Sequence, residues 1–96
     1  MRTVYLSFVA EEDFNDFVRL CDDTDPAKAN YAEYTKGVDD FCKETARVGN
    51  RAVKVRIDPN ELVAWCAKAN RKVDSSARSH YAALVGSGKE RGSKHQ

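Results

Sequence analysis

The chain lacks most of what catalytic and membrane functions require. No apolar run approaches the roughly 20 residues that span a bilayer, so no membrane partner is expected. Histidine is confined to His80 and His95, and Cys21, Cys42 and Cys66 have no Cys-x-x-Cys spacing, so neither a metal site nor a disulfide framework is expected. An odd number of thiols, each at an apolar helical position, reads as small hydrophobes in a reducing compartment, and the cytoplasm is the expected location.

Catalytic patterns are equally scarce. Gly86-Ser87-Gly88 follows no strand and opens no helix, so it lacks the context of a phosphate-cradling loop. Asp22, Asp23 and Asp25 lack the glycine and closing glutamate of a calcium loop. Ser76 and His80 share a helix face, but no carboxylate is placed to orient the imidazole. The expectation is a protein that is not an enzyme, with no cofactor, no catalytic residue and no small-molecule substrate.

What is present fits a single domain. Ninety-six residues, 42% hydrophobic and 32% charged, suffice for one core without cross-links. The charge is unevenly distributed: residues 1–46 carry eleven acids and five bases, whereas residues 47–96 carry four acids and eleven bases. Either the halves neutralise each other within the fold, or one face is left basic for a polyanion.

Val4, Leu6 and Phe8 alternate with Tyr5 and Ser7, which predicts a strand over 3–9 and argues against a leader segment. Phe14, Phe17, Val18 and Cys21 at i, i+3, i+4 and i+7 predict a helix over 11–21, with Glu11, Glu12 and Asp13 against its positive pole. Asp25-Pro26 predicts a second helix start, and Tyr31, Tyr34, Val38, Phe41, Thr45 and Val48 carry that helix to Gly49-Asn50, a length of roughly 34 Å. Gly37 within it costs about 1 kcal/mol relative to alanine and marks a place for a kink or break.

Val53, Val55 and Ile57 predict a strand over 52–57 with Lys54 and Arg56 on its other side. Asp58-Pro59-Asn60-Glu61 has capping-box spacing and starts a third helix that carries Leu62, Trp65 and Cys66. Asp74 caps a fourth helix ending at Gly86. The expected organisation is a globular domain over 1–85 and a flexible basic tail over 86–96.

The element order is therefore βααβαα, an α+β fold. If each helix of the first crossover traverses the sheet, two helices return the chain to its starting level and the strands pair antiparallel. All four helices would then lie on one face. The apolar positions of the two halves also match at spacings of 48 to 50 residues, which fits a pseudo-twofold repeat as well as merely similar architecture. In this arrangement Tyr5, Ser7, Lys54 and Arg56 form an uncovered sheet face, with Lys54 and Arg56 blunting the strand edges.

This face is the candidate interaction surface, for a protein partner or for a homodimer that joins two strand pairs. The functional expectation is a small non-catalytic binding module that self-associates or binds another protein. The alternative is a nucleic-acid-binding accessory protein using a basic patch of Arg47, Arg51, Lys68, Arg71, Lys72 and Arg78.

Overall fold

Two strands, β1 (Thr3–Phe8) and β2 (Arg51–Arg56), form the centre of the computed structural model, which describes residues 1–88. Around them lie four helices: α1 (Glu11–Leu20), α2 (Tyr31–Arg47), α3 (Pro59–Lys68) and α4 (Ser75–Gly86). The element order matches the sequence expectation, whereas the pairing does not. The strands are parallel, with Thr3 opposite Arg51 and Phe8 opposite Arg56.

The reason is that only α2 traverses the sheet. At its start, the Tyr31 hydroxyl donates to the Val9 carbonyl (3.3 Å) and the Tyr34 hydroxyl accepts from the Val9 amide (3.2 Å), which ties α2 to the exit of β1. At its other end Gly49, with φ 86°, turns the chain into β2, and the Arg51 amide bonds to the Arg2 carbonyl at the entrance of β1. Seventeen residues of helix, about 26 Å, return the chain to where β1 began. One net traverse gives a parallel pair.

The first helix does not run back along the sheet. Its Phe14 and Phe17 rings pack on Tyr34, and Phe14 also packs on Tyr31, so α1 begins and ends near the level at which α2 starts. A parallel pair cannot be related by a twofold axis perpendicular to the sheet. The pseudo-twofold repeat is therefore not supported.

Helices also cover both faces rather than one. Gly86 of α4 lies against Tyr5 and Val55 on one face, whereas Tyr34 of α2 stacks on Phe8 on the other. Parallel pairing favours cover on both faces, but here the α2 face is covered only in part, with Val4, Leu6 and Phe8 half-buried and Lys54 exposed. The core gathers Val9, Val55 and Ile57 with Leu62, Cys66, Ala77 and Tyr81. Tyr5 and Val53 pack against it at the margin.

Two further differences are local. Asp25 does cap a turn, accepting from the Ala27 amide, but only a single 3₁₀ turn, Pro26–Lys28, follows. The long helix starts afresh at Asn30, whose Oδ1 accepts from the Glu33 amide at 3.1 Å. Beyond that start α2 is continuous through Gly37. The α3 cap is as expected, with Asp58 Oδ1 accepting from the Asn60 amide at 2.8 Å. The fourth helix ends at Gly86 as expected, and the basic part of the tail falls outside the described residues.

Candidate interaction surfaces

The parallel register separates the four residues that an antiparallel pair would unite. Tyr5 lies opposite Val53 and Ser7 opposite Val55, so both belong to the face covered by α4. Lys54 and Arg56 lie opposite Leu6 and Phe8, on the face with α2. There Lys54 Nζ is 3.7 Å from Asp39 and 5.3 Å from the centre of the Phe8 ring. Arg56 meets Glu12 at 3.4 Å and Asp13 at 3.7 Å.

Among the described residues no further strand pairs with the outer edge of β2. Arg51 and Ile57 both turn their amides to β1, at the Arg2 and Phe8 carbonyls. By the period of two, the amides of Ala52, Lys54 and Arg56 point away from β1. Lys54 sits in the middle of this edge, where a lysine opposes pairing with another strand.

The predicted basic patch is also divided. Arg47 pairs with Glu44 one turn back on α2. Arg51 stands at the entrance of β2, while Lys68, Arg71 and Lys72 cluster where α3 turns into α4. Arg78 belongs elsewhere: its guanidinium forks onto Asp23 at 2.7 and 3.2 Å. That hydrogen-bonded guanidinium holds the Asp23 carboxyl below the usual carboxylate range. Asp39–Lys54, Glu12–Arg56 and Asp23–Arg78 join acids of the first half to bases of the second, so part of the charge asymmetry is neutralised within the fold.

Two shallow clefts open beside α1. One, about 370 Å³, is floored by Phe14, Phe17, Val18 and Tyr34. The other, about 250 Å³, runs past Ser7, Phe17, Tyr34 and Arg78. Three of their polar side chains are already engaged, with Tyr34 on Val9, Arg78 on Asp23, and the Thr24 hydroxyl on the Val18 carbonyl. Burial raises the Tyr34 phenol above its ordinary pKa, which keeps it a neutral structural group at physiological pH. Burial likewise raises the Cys21 and Cys66 thiols, which disfavours the nucleophilic thiolate. Ser76 and His80 do not pair with each other, because both face Arg71. Among the described residues no group of histidine, cysteine and carboxylate side chains could hold a metal ion, and no helix is long and apolar enough to cross a membrane.

A surface that sequence reading assigned to the core lies on α2. Phe41 is 42% exposed and Val48 57%, and apart from Met1 they are the exposed large apolar side chains among the described residues. The apolar residues of α2 recur with a seven-residue repeat, and a straight helix drifts by about 20° per heptad against such a repeat. Tyr34, Phe41 and Val48 therefore rotate progressively out of the core, whereas Val38 and Thr45 stay buried. Gly37, Phe41, Glu44 and Val48, at i, i+4, i+7 and i+11, share the outward stripe. A Cβ at Gly37 would meet nothing within 4 Å, so among the described residues no neighbour requires a glycine there. Comparison with known proteins supplies no family for this chain: no protein-family model, no curated protein and no solved structure matches it.

Proposed function

We propose that this chain is a non-catalytic binding module whose working contact is made by the outward stripe of α2, with a second copy of the chain as the partner. The observation that carries this reading is the coincidence of Gly37 with the exposed Phe41 and Val48 on one helical line. A mid-helix glycine costs about 1 kcal/mol of helix stability, and among the described residues no close neighbour offsets that cost. A neighbouring helix that approaches closely would offset it, because the missing side chain leaves room for an apolar one.

The stripe is complementary to itself. In an antiparallel pair centred between residues 42 and 43, Gly37 faces Val48 of the second copy and Phe41 faces Glu44. Val48 then fills the space left at Gly37, and Phe41 covers the aliphatic part of the Glu44–Arg47 pair. Such a contact is isologous and closes as a dimer. It is also small, which favours a weak and reversible equilibrium, with Kd on the order of 10 μM to 1 mM. A strand-edge dimer through β2 is less favoured because Lys54 would stand near its counterpart. Three cysteines without disulfide partners suit a reducing setting such as the cytoplasm.

Dilution followed by amide NMR tests the reading. Resonances of residues 37–48 on α2 are expected to move with concentration while those of β1 and β2 stay fixed. If no resonance moves, or if those that move belong to β2, the proposed contact is wrong.

A further inference from the structure

We infer a second binding site, independent of the α2 contact, at the corner where α3 turns into α4, and we assign its ligand as the phosphates of a single-stranded nucleic acid. Lys68, Arg71 and Lys72 take part in none of the ion pairs among the described residues, unlike Lys54, Arg56 and Arg78 of the same half. Asp74, the carboxylate nearest to them in sequence, accepts the Ala77 amide as the cap of α4. Asp22, which the fold brings beside this corner, accepts the Val73 amide at 2.8 Å, so neither neighbouring carboxylate is ion-paired with the three bases and the corner keeps an excess of basic side chains.

The corner is built rather than merely charged. Asn70, with φ 55°, ends α3 in a left-handed turn in which the Asn70 amide bonds to the Ala67 carbonyl and the Arg71 amide to the Cys66 carbonyl. This turn sets Arg71 over Trp65, with its Cζ 5.5 Å from the ring centre. Its two terminal nitrogens donate to His80 Nδ1 at 3.0 Å and to Ser76 Oγ at 3.2 Å. A guanidinium has five N–H donors, so three remain for an oxyanion. Neither partner is a carboxylate, so neither offsets the charge of Arg71.

Lys68 and Lys72, both exposed, flank the fixed guanidinium. The exposed His80 ring, edge-on to Trp65 at 5.3 Å, offers a flat surface for a base. Fixed arginine, flanking lysines and an aromatic side chain together suit a single strand, whose phosphates are contacted while its unpaired bases stack. One short corner holds about three phosphates.

Trp65 is the chain's one tryptophan and lies beneath Arg71, so it reports occupancy directly. A labelled 12-nucleotide single strand is titrated with the full chain, following both the anisotropy of the label and the fluorescence of Trp65. Three contacts predict a salt slope of about −2, hence roughly 20-fold weaker binding at 200 mM than at 50 mM salt. The Lys68→Gln/Lys72→Gln variant, changed only at exposed positions, should reduce the slope to about −0.7. Arg71→Gln should abolish the Trp65 response.

Absence of binding at 50 mM salt would overturn the assignment, as would binding that leaves Trp65 unchanged or a slope unaltered in the double-lysine variant. Tighter binding of the matching duplex would contradict the single-stranded ligand. Equal capture by phosphatidylserine vesicles would replace it with a membrane surface.

Discussion

Gly86, in the last turn of α4, lies directly against the ring of Tyr5. A Cβ at this position would collide with Tyr5 Cδ1, stand 2.7 Å from its Cε1 and 3.0 Å from Val55 Cγ2. The close approach of helix and sheet on this face therefore requires a residue without a side chain. Gly86→Ala is predicted to lower stability by roughly 1 to 2 kcal/mol, because overpacking exceeds the gain in helix propensity. Urea unfolding monitored by circular dichroism checks it.

Gly37→Ala should behave in the opposite way. With open space around that position, alanine is predicted to stabilise the fold by about 1 kcal/mol. The same change adds a methyl group where Val48 of the second copy is proposed to sit, so association should weaken. Stability and association moving in opposite directions, read by urea unfolding and by sedimentation, would separate the contact from a purely structural effect.

Asp23 joins the segment after α1 to α4. Besides the Arg78 fork, its Oδ2 accepts the Ser75 amide at 3.1 Å. A carboxyl whose pKa is lowered on folding contributes stability above its unfolded pKa of about 3.9, and loses it as pH falls through the folded value. Stability measured from pH 7 downward should therefore begin to fall near pH 5. Asp23→Asn should flatten that fall and cost on the order of 1 kcal/mol at pH 7, a modest figure because Asp23 is partly exposed.

The two cap positions before α2 should differ as well. Asn30→Ala removes the acceptor of the Glu33 amide on a 17-residue helix and is predicted to cost about 1 kcal/mol. Asp25→Ala affects one 3₁₀ turn and should cost less. Thermal unfolding of the two variants checks the order.

The elements were legible in the sequence because their signals are local. Alternation in Val4, Leu6 and Phe8, the Asp58-Pro59 start, and Asp74 before α4 all depend on neighbours within a few residues. The direction of strand pairing was not legible, because it depends on where α2 begins in space. Tyr31 and Tyr34 fix that point by bonding to Val9, more than twenty residues away. The candidate surface shifted for the same reason. The expected antiparallel register puts Tyr5 and Lys54 on one face, and the observed register, with Tyr5 opposite Val53 and Lys54 opposite Leu6, does not. The α2 stripe, by contrast, emerges from the difference between a seven-residue repeat and the pitch of a straight helix.

Sedimentation equilibrium of the intact chain and of Phe41→Glu, from micromolar to near-millimolar concentration, decides whether the α2 stripe joins two copies. The weight-average mass of the unaltered chain is predicted to rise above 10.8 kDa towards twice that value. Phe41→Glu, which places a carboxylate against Glu44 of the second copy, should remain at the monomer mass throughout. An unaltered chain that stays at 10.8 kDa at every concentration, or a variant that associates equally well, would rule out the α2 contact.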